Sequence, residues 1–144
     1  MKNNDLLDRL VNNALNFLSR SITDFKRFPK YSVINFYTAV ELFIKARLLS
    51  EHWSLVVSKR QEPDWDKFVA GVFQSVSLDE AANRLDKVVR SGLSNQDIQA
   101  FRNVRAHRNK MVHFFHEADA DVNKDELRKI IAREQLNAWY LLHR

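Results

Sequence analysis

"YSVINFYTAVELFIKARLLSEHW", residues 31–53, carries apolar side chains on nearly every side of a helical wheel. Its length excludes a single strand, so it reads as a helix buried at the centre of the fold. The chain before it agrees. From Asp5 to Phe25, the residues Leu7, Leu10, Ala14, Phe17, Leu18, Ile22 and Phe25 recur at the three-and-four spacing of one helical stripe, and Pro29 closes the basic link "KRFPK". After it, Pro63 opens "PDWDKFVAGVF", a short helix expected to pack Trp65, Phe68, Val69 and Val72. Ser77 with Glu80 has the form of a capping box for a helix through about Val89, with Gly92 as its stop. Ser94 or Asn95 then caps a helix running to about Glu117. Beyond the acidic link "EADADVNKDE", Asn123 and Glu126 start a last helix that carries Leu127, Ile130, Ile131, Leu136, Trp139, Tyr140 and Leu142.

The expectation is an all-α fold of about five to six helices in a single domain over residues 1–144. Composition points the same way. A chain of 144 residues, 45% hydrophobic, with ten Phe and three Trp, has the apolar content to bury one core. Two Gly and two Pro are too few turn formers for a many-stranded sandwich or barrel. No cysteine is present, so thiolate metal ligands and disulfides are excluded. The opening "MKNNDLLDRLVNN" has no apolar leader, and the longest uncharged stretches are about half the length of a membrane span. A cytoplasmic protein is therefore expected. The net charge of +5 makes a polyanionic partner such as RNA plausible without identifying one.

One pattern occurs twice in "RNVRAHRNKMVHFFHE", residues 102–117: Arg102-Asn103 precede His107, and Arg108-Asn109 precede His113. With about 100° per residue, Arg108 falls between Phe101, Val104, Met111, Val112 and Phe115, in the middle of the apolar face. A guanidinium there costs several kcal/mol unless an anion compensates it. Arg102 lies about 120° away, towards solvent, where a cation needs no explanation. His113 falls about 40° from Asn109 and about 7.5 Å further along the axis than Arg108, so the three could border one cleft. Two readings stay open: a structural ion pair at Arg108 with an ordinary surface histidine at His113, or an anion site built from Arg108, Asn109 and His113.

The second copy, with "FYTAVELFIKARLL" upstream, resembles the HEPN superfamily, whose signature is an arginine, a polar residue and, after a short gap, a histidine. The similarity extends over most of the chain. It implies a HEPN-like helical bundle and metal-independent endoribonuclease activity, or RNA binding with turnover lost, in a toxin or phage-defence setting. It also implies a homodimer, with an antitoxin or defence partner protein possible, and no cofactor. On this resemblance His113 is the general base or acid of a 2′-hydroxyl transesterification, Arg108 stabilises the phosphorane charge and Asn109 orients the pair. Related toxins often carry a modified tyrosine two positions past the histidine. This chain has Phe115 there, which puts control by adenylylation in doubt.

Glu41 and Lys45 lie one turn apart and form either a local ion pair or, as the superfamily pattern implies, a supporting site in which Glu41 reaches Arg108. Arg102, Arg105 and Lys110, beside His107, make a cationic helix that could hold RNA phosphates or simply face solvent. His113, His116 and Glu117 have helical metal-ligand spacing but lack a third firm ligand from another segment, so no metal site is expected. Trp139 and Tyr140 are read as core or dimer anchors.

Overall fold

The computed structural model describes residues 3–114 and 125–143, among which there are six α-helices and no strand. In chain order they are α1 (Asn3–Asp24), α2 (Pro29–Glu51), α3 (Trp65–Val69), α4 (Leu78–Arg84), α5 (Asn95–His113) and α6 (Asp125–His143). A 3₁₀ turn, Trp53–Val56, follows α2, and a π turn, Leu85–Val89, extends α4. None of the described helices is long and apolar enough to cross a membrane. The all-α expectation is met. The expected Asn123 start of the last helix lies outside the described residues.

The chain packs as two compact units, one from residues 1–14 and 41–93, the other from residues 15–40 and 94–144. Helices α1 and α2 each run through both. In the first unit, Leu48, Leu49, Val57 and Val76 are almost completely buried. Trp53, Trp65, Phe68 and Phe73 cluster there, with Trp53 and Trp65 edge to face at 5.3 Å and Phe68 and Phe73 at 4.8 Å. Within the segment that Pro63 opens, Asp64 caps α3 by accepting from the Lys67 N–H at 3.1 Å. Val72, expected in the same cluster, is 67% exposed because α3 has ended and Gly71 turns the backbone at a φ of +75°.

Ser77 caps α4 as expected, its hydroxyl accepting from the Glu80 N–H at 3.2 Å. The Glu80 carboxylate, however, ties down the loop before it. It accepts from the Lys59 N–H at 3.1 Å and the Ser58 hydroxyl at 3.3 Å. Arg84 holds the same loop, donating to the carbonyls of Leu55 at 2.7 Å and Val57 at 2.5 Å. The Lys59 N–H is the main reason that the Glu80 carboxyl sits below its ordinary value of 4.5; burial opposes it, and Ser77, Ser58 and Arg84 assist. The native state thus favours the charged form. Its contribution to stability is complete above the ordinary value and is lost as pH falls through the native one. Glu80→Gln should therefore flatten the loss of stability between about pH 5 and pH 3, read from urea midpoints.

Gly92 was the expected stop of this segment, but the left-handed residue is Arg90, with a φ of 63°. Gly92 serves another purpose. A Cβ there would lie 2.7 Å from Asp86 Oδ1 and 3.1 Å from the Asp86 Cα, so the close approach of the two backbones requires glycine. Arg90→Gly should stabilise the protein by up to about 1 kcal/mol by relieving a left-handed conformation that side chains disfavour. A thermal melt unchanged or lowered by this substitution would contradict that account.

In the second unit α5 packs against α6, and the core includes Val33, Phe36, Tyr37, Phe101, Val104, Ile131 and Ala138. Buried polar groups join the helices. Ser21 Oγ donates to the Ser32 carbonyl at 2.9 Å while Ser32 Oγ donates back to the Ser21 carbonyl at 2.8 Å. Gln135, 6% exposed, donates its amide to Ser32 Oγ at 3.4 Å. The line of α1 that turns inward is Ala14, Leu18 and Ser21, whereas Ile22 is 68% exposed. On α6 the buried line is Ile131, Gln135, Ala138 and Leu141, and Ile130, Leu136 and Tyr140 face out.

Candidate functional site

Helix α5 positions the repeated motif. Its start is a complete capping box: the Asp97 N–H donates to Ser94 Oγ at 3.1 Å and the Ser94 N–H to Asp97 Oδ2 at 3.0 Å. Ala100, Phe101, Val104 and Met111 anchor its inner face. The helix ends at His113, shorter than the expected Glu117, and Phe114 closes it with its N–H donating to the Lys110 carbonyl. Lys110 and His113 stand in the last turn, where positive charge meets the negative end of the helix dipole.

Arg108 is half-buried on the inner side of this turn, with Phe101, Val104 and Met111 buried around it as the wheel requires. Its guanidinium carbon lies 4.9 Å from the centre of the Tyr37 ring. Its Nε is buried and meets no hydrogen-bond acceptor among the described residues. A guanidinium stacked on an aromatic face, with one donor unsatisfied, can still take an anionic oxygen. Asn109 and His113, on the same stretch of helix, are exposed. Val112 beside them is 47% exposed, so the apolar face does not close over the end of the helix.

The first copy of the motif has a different setting. Arg102 is exposed, and His107 is half-buried with its Nε2 against a carboxylate oxygen of Glu134, joining α5 to α6. Asn103 accepts from the Gln99 amide at 2.8 Å, one helical turn back. This copy is thus bound into the packing of its own unit. Arg105 is half-buried and Lys110 exposed.

Glu41 and Lys45 are both half-buried in the first unit. Lys45 donates to Ser75 Oγ at 3.0 Å, and the local Glu41–Lys45 ion pair does not form. Lys45 instead joins α2 to the segment before α4. Among the described residues no three His, Asp or Glu side chains group as metal ligands; His116 and Glu117 lie outside them. Two partners of the motif helix escaped the sequence reading: Tyr37, under Arg108, and Glu134, against His107. Each is distant along the chain from the residue it serves, and the pattern of α2 or α6 alone does not mark it.

Compared with protein-family models, curated proteins and solved structures, the chain finds no match.

Proposed function

We propose that the protein is a HEPN-like, metal-independent endoribonuclease that cleaves RNA by 2′-hydroxyl transesterification, acting as a toxin or phage-defence effector. The observation that carries this reading is the state of Arg108: stacked on Tyr37 and retaining a buried Nε without an acceptor, on a helix whose exposed last turn carries Asn109 and His113. A phosphate oxygen meeting the outer nitrogens of the Arg108 guanidinium would offset a charge that no carboxylate among the described residues compensates. His113 would take the 2′-hydroxyl proton or protonate the leaving 5′-oxygen, and Asn109 would orient the phosphate or the imidazole. Arg102, Arg105 and Lys110 would hold the RNA backbone without reading its sequence.

In this reading a homodimer supplies a second His113, so that one imidazole is base and the other acid. An antitoxin or other defence protein is the expected partner, and the cytoplasm is where the substrate is met. Incubation of the purified protein with RNA in excess EDTA tests the reading. Cleavage leaving 2′,3′-cyclic phosphate ends is expected; RNA that is bound but never cut would make the protein a helical RNA-binding module instead.

A further inference from the structure

We propose that the cavity bounded by the C-terminal half of α1, the start of α2 and α6 is a binding site for a small aromatic acid that carries an N–H or O–H donor. The cavity measures about 500 Å³, within the ordinary range of ligand sites. Leu18, Phe25, Phe36, Leu136 and Trp139 form its walls. Ile22 and Leu136, at 68% and 61% exposed, carry the apolar wall out to solvent. Three of the wall residues are aromatic, which suits a flat ring better than a flexible chain.

The polar groups define the rest of the ligand. Ser21 is committed to Ser32, and the Thr23 hydroxyl donates back to the Ser19 carbonyl at 3.1 Å. Two groups remain. Gln135 is more than nine-tenths buried and its amide nitrogen is spent on Ser32 Oγ, while its carbonyl oxygen meets no donor among the described residues and keeps contact with solvent. It calls for an N–H or O–H on the ligand's apolar body. Lys26 is exposed and engages no carboxylate among the described residues; the neighbouring Asp24 is held by Arg20 at 3.1 Å. It calls for an anion. A second cavity of about 260 Å³ shares Phe25, Lys26 and Gln135 with the first, so the two polar groups stand where both open. A ring bearing a donor and a short carboxylate arm meets all of these features.

This site goes beyond the nuclease reading, and its test involves no RNA. The full chain is titrated with indole-3-acetate, with naphthalene-1-acetate, which keeps the carboxylate but lacks the N–H, and with indole, which lacks the carboxylate. Backbone and tryptophan NMR signals report binding. Indole-3-acetate is expected to bind most tightly, with shifts centred on Leu18, Phe36, Gln135 and Trp139. Lys26→Ala, a surface change that leaves the packing intact, should remove its advantage over indole, a change of about two- to fivefold. Gln135→Leu should remove its advantage over naphthalene-1-acetate. Equal affinity of the three probes, or no titrating signal at these residues, would overturn the proposal. So would a dimer that dissociates on Leu136→Glu and binds none of the probes, since a second copy would then be the occupant.

Discussion

His113→Ala should lower RNA cleavage by about 10²–10⁴-fold, the usual contribution of a positioned general acid or base, while leaving the fold as stable as before. The side chain is exposed at the last residue of α5 and has no hydrogen-bonding or ionic partner among the described residues, so its removal opens no cavity and strands no polar group. A stability change within about 0.5 kcal/mol is expected. Loss of activity without loss of stability separates a reacting group from a structural one. Arg108→Ala should also remove activity, with a stability change within about 1 kcal/mol, because losing the cation over the Tyr37 ring is offset by removing a buried Nε that has no acceptor. Arg102→Ala should be mild in both respects. Parallel urea denaturation and cleavage of one RNA substrate by the three variants measures the pattern. Full activity in His113→Ala would remove that residue from the chemistry, and a greater loss in Arg102→Ala would transfer the site to the first copy.

Phe101→Ala should produce the largest loss of stability of any change proposed for this chain, about 3–5 kcal/mol. Phe101 is 0% exposed and faces the core of the second unit two turns before Arg108. Replacing it removes the transfer energy of an aromatic ring and leaves a void that neighbours fill only in part. With domains typically stable by about 5–15 kcal/mol, a loss of this size takes much of the total. Activity should fall because α5 no longer holds its place, and Phe101→Leu, which keeps most of the apolar volume, should recover much of both. If Phe101→Ala melts within a few degrees of the parent, the described packing of α5 is wrong.

These two substitutions mark what the sequence conveys and what it does not. The period of Phe101, Val104, Arg108 and Met111 defines one face of a helix by local geometry, so the half-burial of Arg108 could be read directly. The platform beneath it could not, because Tyr37 comes from a helix that is apolar on nearly all sides. The same limit applies to α1 and α6. Their apolar residues are broad enough in angle to allow more than one inward line, and the structure buries Ser21 and Gln135 while Ile22, Leu136 and Tyr140 stay outside. A hydrophobic pattern ranks faces by transfer energy alone. It does not register a buried serine whose partner lies on another helix. His107 shows this too: its spacing suggested a companion of the basic face, and Glu134, a whole helix later, gives it a packing role.

The reciprocal serine bonds have a consequence for how α1 meets α2. Hydrophobic stabilisation follows buried area and has no direction, so a broad apolar stripe specifies the alignment of neighbouring helices less sharply than a hydrogen bond does. Ser21 and Ser32 each engage the other's carbonyl, and this match exists at one offset only. A slip of one turn, about 5.4 Å, would leave both hydroxyls without these partners in a setting closed to water. The pair therefore acts as a vernier between the end of α1 and the start of α2, and the residues that these two stretches present to the second unit inherit their position from that match.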